Sequence, residues 1–233
     1  NVVGVALPSK YNTVESLVDA RLLAKNLDIE FKVIEIEEIV NIFRNTLKES
    51  VNDELGQTTD ENIQSRVRGN ILMALSNQTG AMVVSTGNKS EMAVGYSTLY
   101  GDLAGGFALL KDLYKTEVYN LANFRNSISS VIPQNTIDKE PSAELRPNQL
   151  DKDSLPEYEL LDEILRMYIE EDSSSEKIIS KGIDENIVYD VLSKVDRNEY
   201  KRKQVAPGVK LTEKAFGKDR RMPITNTYIR ERG

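Results

Sequence analysis

The strongest constraint on the fold comes from two strand-like runs, each followed by an amphipathic helical pattern. The first run is Val-rich, and the second alternates apolar with charged residues. Residues 2–7 read Val-Val-Gly-Val-Ala-Leu and leave through a Pro-Ser-Lys-Tyr loop, which is typical of a strand. Thr13 can cap the helix that follows, and residues 31–36 predict a second strand. The expected buried face of the next helix consists of Ile39, Phe43, Leu47 and Val51. Strand, helix, strand, helix in this order predicts a parallel sheet.

The rest of the chain extends this pattern and then becomes helical. Thr59 or Asp60 can begin a third helix that runs to about Asn77. Its expected buried face consists of Ile63, Val67, Asn70, Ile71 and Ala74. Further helices are predicted over residues 155–169, 176–181 and 184–203, and the run EEDSSSE at 170–176 is typical of a linker. We expect a single α/β domain with a doubly wound, Rossmann-like parallel sheet and a helical C-terminal part.

A cluster of polar residues follows a third apolar run. Ala81–Val84 predicts a short buried parallel strand, and it opens into Thr86–Glu91, which reads TGNKSE. Hydroxyls, an amide, an ammonium and a carboxylate at the carboxyl end of a strand are the groups that a phosphate-and-magnesium site needs. An ordinary strand-turn-helix connection, in which these side chains only cap a helix, explains the short pattern equally well.

Two other segments carry polar residues in a suggestive arrangement. Asn62 and Arg66 lie one turn apart on the third helix and can reach one ligand, although a surface ladder has the same spacing and is favoured by these residues alone. The loop Lys139–Pro147 reads KEPSAELRP, with two prolines that enclose polar residues. This composition predicts a loop of defined shape that presents polar groups.

The absence of both Cys and His narrows the available chemistry. Disulfides, thiolate metal sites and nucleophiles activated by imidazole are excluded, so carboxylates, ammonium groups, hydroxyls and oxygen-bound cations must suffice. No apolar run reaches the length of a membrane span and no secretory signal is recognisable. We expect a cytoplasmic protein without a membrane partner.

Charge is distributed unevenly along the chain. Residues 1–196 carry 19 basic and 33 acidic side chains, whereas residues 197–233 carry 11 basic and 4 acidic ones. A basic end on an acidic body indicates a local anionic ligand rather than a nucleic-acid surface, which needs a broad positive face. The alternative is a tail that pairs with its own acidic body.

Several blocks, in order along the chain, together resemble the NAD synthetases, in particular the synthetase portion of the glutamine-dependent enzymes. They are Pro8–Tyr11, Asn62–Arg66, Ser85–Glu91, Tyr100–Asp102 with Gly105–Phe107, Lys111–Asp112, Lys139–Pro147 and Glu199–Gln204. The resemblance implies an ATP-pyrophosphatase fold of the adenine nucleotide α-hydrolase type. It also implies a homodimer or a higher homo-oligomer.

The reaction implied by this resemblance has two steps. The carboxylate of nicotinic acid adenine dinucleotide (deamido-NAD) attacks the α-phosphate of ATP, and pyrophosphate leaves. Ammonia, free or from glutamine, then displaces AMP from the acyl-adenylate and gives NAD. ATP and Mg²⁺ are the implied cosubstrate and cofactor. Such chemistry needs positioning and charge stabilisation more than a histidine base.

Matching positions imply a role for individual side chains. The residues implied in ATP binding are Lys10, Thr86, Lys139 and Ser154, and Lys139 is also expected to act in catalysis. Glu91 is expected to act in catalysis by holding Mg²⁺ or facing the nicotinate end of deamido-NAD. The residues implied in deamido-NAD binding are Asn62, Arg66, Glu91, Tyr96, Ser97, Thr98, Leu99 and Lys201.

One element of the family pattern has no counterpart in this sequence. The Ser-Gly-Gly-aliphatic-Asp-Ser signature would precede the segment that corresponds to residues 1–5. We therefore expect a strand, a Ser-Gly-Gly-type loop and a helix upstream of Asn1, with an amidase domain before them. Two other functions stay open. One is an ATP-pyrophosphatase ligase similar to GMP synthetase, although Asn62, Arg66 and Lys201, the residues implied in dinucleotide binding, argue against it. The other is a non-catalytic nucleotide-binding fragment.

Overall fold

A computed structural model describes residues 1–51 and 53–225 of the 233 residues. Part of the basic end predicted over residues 197–233 therefore lies outside the described residues. The chain divides into two compact units, Asn1–Leu72 with Tyr119–Ser154, and Met73–Val118 with the chain from Leu155 onward. The single domain expected from the sequence stays a prediction. Among the described helices, none is long and apolar enough to cross a bilayer.

The first unit begins with the alternation that the sequence predicts. Its elements are β1 (Val3–Ala6), α1 (Val14–Asn26), β2 (Glu30–Val33) and α2 (Glu37–Val51), followed by α3 (Gln57–Thr79). β1 and β2 are parallel, with Val3 opposite Glu30 and Ala6 opposite Val33. The Thr13 hydroxyl accepts a hydrogen bond from the backbone N–H of Ser16, so the predicted cap of α1 is confirmed.

The buried faces of α2 and α3 differ from those predicted. Val40 is the fully buried residue of α2, and the core around it contains Leu7, Ile36, Ile63 and Val67. The expected inner residues that are exposed instead are Ile39, Phe43, Val51, Asn70 and Ala74. Ile39 and Val40 are adjacent apolar residues at the start of α2, and packing against the core selects Val40.

The remaining elements are mostly helical. They are β3 (Val84–Ser85), α4 (Lys89–Val94), β4 (Phe107–Ala108), α5 (Lys115–Ile128), α6 (Gln134–Asp138), α7 (Tyr158–Leu165), α8 (Ser175–Ile179), α9 (Glu185–Arg197) and α10 (Glu199–Arg202). The π-helical turn Arg166–Glu170 extends α7. Parallel pairing joins β3 to β4, with Val84 opposite Phe107. The predicted strand Ala81–Val84 is wrong in both bounds and burial, because only its last residue is in β3 and Val84 is 43% exposed.

The helical C-terminal part is confirmed, and it forms the core of the second unit around α7 and α9. Residues 170–176 are not a linker: Ser173 and Ser175 are buried, and Ser174 caps α8. The helix predicted over 184–203 is interrupted at Asn198. The α/β class and parallel pairing are thus confirmed, in two two-stranded sheets.

Candidate functional site

A cavity lined mainly by polar residues lies in the first unit between the loop that follows β1 and the loop that follows α6. It has a volume of about 340 Å³, and its lining includes Tyr11, Thr13, Lys139, Glu140, Glu144 and Arg146. The loop after β1 leaves from the carboxyl end of a parallel strand, the position where α/β proteins bind ligands. The lining carries two cationic side chains and two carboxylates, so its charges balance.

Lys139 and Glu144 form the centre of this cavity wall. The Lys139 ammonium lies 2.5 Å from Glu144 Oε1, and it also donates to Ser16 Oγ at 2.6 Å and Thr13 Oγ1 at 3.0 Å. Glu144 accepts from Ser16 Oγ at 2.6 Å and from Asn12 Nδ2 at 2.8 Å. Burial opposes ionisation of Glu144, but the hydrogen bonds from Lys139, Ser16 and Asn12 outweigh it and lower the pKa of this carboxyl.

The loop that carries Lys139 and Glu144 has a fixed shape, as its two prolines predict. Ser142 Oγ donates to the Gln149 carbonyl at 2.5 Å and accepts from the Glu144 N–H at 3.1 Å. Glu144 and Asn148 both have left-handed backbones, with φ of 50° and 52°. Such conformations cost energy outside glycine and are maintained by surrounding contacts. Among these contacts, buried Gln64 on α3 donates to the Leu145 carbonyl at 2.9 Å.

Arg68 on α3 holds the loop that follows β1. Its Nε donates to the Leu7 carbonyl at 2.9 Å, and its Nη2 donates to Asn12 Oδ1 at 3.0 Å. Asn12 Oδ1 also accepts from the Ser9 N–H at 2.8 Å. The Asn12 amide is therefore oriented with its NH₂ group toward Glu144. Burial lowers the pKa of Arg68, and the charge of Glu144 offsets this only in part.

The other candidates of the first unit lie at separate positions. Lys10 is 3.4 Å from Glu37 and stacks on the Tyr11 ring at 5.0 Å. The Ser154 N–H donates to the Asp151 carbonyl at the end of the 3₁₀ turn 151–153. On α3, Asn62 is partly buried and Arg66 is exposed. None of these roles in ligand binding is tested by the geometry, so they stay predictions.

In the second unit, the turn after β3 carries the predicted phosphate-and-magnesium residues. Asn88 and Glu91 form a reciprocal capping box at the start of α4, so the helix-cap explanation of this pattern is correct for Asn88. Glu91 Oε1 lies 3.1 Å from the Lys115 ammonium, and Thr86 is exposed. Ser85 Oγ is buried and lacks a hydrogen-bond partner within the described residues.

Lys201 fixes the loop that contains Tyr96, Ser97, Thr98 and Leu99. Its ammonium donates to the carbonyls of Gly95 at 2.6 Å and Ser97 at 2.7 Å. Gly95 has a φ of 71°, and a Cβ there would lie 2.1 Å from Asn198 Cγ, so no other residue fits. Burial lowers the pKa of Lys201, and the charge of Asp102 offsets this only in part. The structure thus brings together Lys201 and the loop that were predicted to bind deamido-NAD.

A magnesium ion would find limited protein ligands. Across residues 1–51 and 53–225, no three carboxylates come close enough to form a metal site on their own. Mg²⁺ is often held by one or two carboxylates together with substrate phosphates. The partly exposed carboxylate of Glu91 fits that arrangement, with Lys115 as its present partner.

The sequence predicts no ligand-binding role for three residues of this hydrogen-bonded group. Ser16 and Glu144 contact Lys139, and Asn12 contacts Glu144. Thr13 and Ser16 are a helix cap in sequence, so nothing in their spacing distinguishes a ligand site from a cap. The contact between residues 12–16 and 139–144 joins positions more than 120 residues apart, which no local pattern reveals.

Comparison with known proteins identifies the family. The NAD synthase family model matches residues 1–205. A glutamine-dependent NAD(+) synthetase of Aquifex aeolicus is 54% identical over 99% of this chain, which spans 41% of that relative. The solved glutamine-dependent NAD+ synthetase of Acinetobacter baumannii, in complex with ADP, has 47% identity and a TM-score of 0.57, covering 95% of this chain and 40% of the other.

A second solved structure supports the fold alone. The glutamine-dependent NAD(+) synthetase of Cytophaga hutchinsonii is 22% identical with a TM-score of 0.80, and the match covers 97% of this chain and 38% of that one. The chain thus spans about two fifths of the length of these relatives. On the match over residues 1–205, the chain belongs to the NAD synthase family.

Proposed function

We propose that the protein containing this chain converts deamido-NAD to NAD at the expense of ATP, releasing AMP and pyrophosphate. Family membership and the glutamine-dependent NAD(+) synthetase name of a relative that is 54% identical support this activity. The structural observation that carries the proposal is the half-buried ammonium of Lys139, beside a cavity of about 340 Å³ at the carboxyl end of β1.

In this reaction Lys139 has an electrostatic role. Its ammonium is close enough to the cavity to contact phosphate oxygens of ATP. As the carboxylate of deamido-NAD attacks the α-phosphate, negative charge builds on the leaving pyrophosphate. A cation held in place by hydroxyl neighbours stabilises that charge. Lys10, Thr86 and Ser154 are proposed as further ATP contacts.

Glu91 is proposed to hold Mg²⁺. The ion, when bound, neutralises phosphate charge. The capping box fixes one carboxylate oxygen of Glu91 at the start of α4, and the other oxygen pairs with Lys115 at 3.1 Å.

Asn62, Arg66, Lys201 and residues 96–99 are proposed to hold deamido-NAD. Lys201 supports this role by fixing two carbonyls of the 95–98 segment, which gives that loop a defined conformation. Glu91 is the residue proposed to face the nicotinate end.

Properties of the whole protein complete the proposal. The names of the relatives support glutamine as the ammonia source, with an amidase domain upstream of the synthetase. Following the family resemblance, we propose a homodimer or higher homo-oligomer in the cytoplasm and a doubly wound parallel sheet.

The test is an amidation assay on the complete protein with ATP, Mg²⁺ and deamido-NAD, supplied with either ammonium or glutamine. NAD, AMP and pyrophosphate are expected in equal amounts, and Lys139→Met is expected to reduce turnover by about 100-fold. Turnover of xanthylate in place of deamido-NAD would instead indicate a GMP synthetase-like ligase. Binding of ATP without turnover of either substrate would indicate a nucleotide-binding fragment.

A further inference from the structure

Four hydrogen-bond donors converge on one carboxylate in the first unit. Asn12 Nδ2, Thr13 Oγ1, Ser16 Oγ and Lys139 Nζ lie 2.8, 3.3, 2.6 and 2.5 Å from an oxygen of Glu144. We call these four donors the cradle. They come from two distant segments of the chain, and all of them point at the same acceptor group.

The cradle has the composition of a phosphoryl-binding site. It consists of one ammonium, two hydroxyls and one amide NH₂, which are the side-chain donors that commonly hold phosphate oxygens. The Asn12 NH₂ group is held in this direction because the other atom of the amide accepts from Arg68 and from Ser9. The donors are therefore preorganised for an anion.

Glu144 is an unusual occupant for such a site. It reaches the cradle from a left-handed backbone, with φ of 50°, in a loop that lines the cavity. Its side chain is 13% exposed and that of Lys139 is 32% exposed, so an anion in the cavity can approach the ammonium. A carboxylate has one charge and two oxygens, whereas a pyrophosphoryl group has more of both and satisfies the same donors more fully.

We propose that Glu144 occupies a pyrophosphoryl-binding site as an internal substitute and is displaced when the pyrophosphoryl group of ATP, or free pyrophosphate, enters the cradle. The inference rests on the proposed function only in the identity of the anion. Asn12, Thr13 and Ser16 become ligand-binding residues, and Glu144 becomes a competitor that weakens binding. Charge balance supports the exchange: without Glu144 the cradle retains the positive charge of Lys139, with Arg68 behind Asn12.

If Glu144 competes with the anion, its replacement by a neutral residue strengthens the binding of pyrophosphate and ATP but not the binding of AMP. In Glu144→Gln the ammonium of Lys139 loses its ionic partner, and the dissociation constant for pyrophosphate is expected to fall by about 10-fold. ATP is expected to bind more tightly by a similar factor. AMP, which lacks the pyrophosphoryl group, is expected to bind as before.

Isothermal titration calorimetry on the complete protein measures these constants, with and without Mg²⁺, in a phosphate-free buffer. Glu140→Gln is the matched control, because Glu140 lines the same cavity but pairs with Lys152, and it makes the same change in charge. Tighter binding of pyrophosphate in Glu144→Gln alone supports the proposal. Equal gains in both variants reflect net charge only and overturn it.

Other outcomes also decide the question. Weaker pyrophosphate binding by Glu144→Gln would overturn the proposal. If the loss occurs only with Mg²⁺, Glu144 is a metal ligand; if it occurs with and without Mg²⁺, Glu144 is a structural residue. If the variant does not melt cooperatively, a crystal structure of the wild-type protein with pyrophosphate decides instead. Pyrophosphate in the cradle with Glu144 displaced supports the inference, and Glu144 still bonded to Lys139 refutes it. Absence of NAD synthesis would refute the proposed function without affecting these measurements.

Discussion

Lys139 in the first unit and Lys89 in the second both pair with carboxylates, yet their surroundings differ. Lys89 is fully buried and contacts Asp112 at 3.1 Å, Glu170 at 3.0 Å and Thr212 Oγ1 at 2.6 Å. Its ammonium also lies 4.9 Å from the centre of the Tyr114 ring. Lys139 keeps a third of its side chain exposed beside a cavity.

The difference indicates what each lysine does. Every direction around the Lys89 ammonium is occupied by protein groups, so a ligand could reach it only by breaking buried ion pairs. Lys139 has one carboxylate and two hydroxyls as neighbours and one side open to the cavity. Lys89 lies within the TGNKSE motif, and its role there is to join the start of α4 to the chain near Thr212.

The largest expected effect breaks the buried cluster. Lys89→Met leaves the carboxylates of Asp112 and Glu170 without their cation, and it is expected to reduce the free energy of unfolding by about 3–5 kcal/mol. Lys139→Met is the matched control, expected to lose less than about 1 kcal/mol because its pair is partly exposed. Urea unfolding of both variants measures the difference. Equal losses would show that the two lysines do not differ in this way.

The second prediction separates a ligand-binding carboxylate from a structural one in the same unit. Glu91→Gln preserves the hydrogen bond to the Asn88 N–H, so it is expected to fold normally but to reduce turnover by about 100-fold or more. The control is Glu117→Gln. Glu117 likewise accepts from a backbone N–H, that of Tyr114, and pairs with one cation, Arg166. Unchanged turnover of Glu91→Gln at saturating Mg²⁺ would remove Glu91 from the proposed site.

The smallest expected effect concerns acid stability in the Lys139 region. Because the pKa of Glu144 is lowered in the folded protein, this carboxyl takes up a proton on unfolding in acid. Its contribution to stability is complete above its ordinary pKa of about 4.3 and is lost as the pH falls through the lower folded-state value.

Glu144→Gln is therefore expected to flatten the dependence of unfolding free energy on pH below about pH 4.3, by less than one proton. Lys139→Met, which removes one of the groups that lower this pKa, is expected to flatten it in part. Urea unfolding at several acidic pH values gives the slopes. Identical slopes in the wild type and Glu144→Gln would contradict the assigned role of the cradle in ionising Glu144.

Much of the first unit could be predicted because its patterns are local. The cap at Thr13 and the order of β1, α1, β2 and α2 follow from short-range periodicity and turn residues. The buried side of α2 could not be predicted, since Ile39 and Val40 are adjacent apolar residues and only the neighbouring core determines which one is enclosed. The bounds predicted for the strand Ala81–Val84 are wrong for a related reason. An apolar run does not specify how many of its residues pair with a neighbouring strand.

The sequence by itself determined the family, the α/β alternation and the identity of the cation at Lys139. Those features depend on residue type and on spacing within a few turns. Only the tertiary structure decided that Lys89 is enclosed while Lys139 faces a cavity, and that Asn12, Thr13 and Ser16 meet Glu144. Burial and convergence of donors depend on contacts between distant segments, and those contacts form only when the chain packs its core.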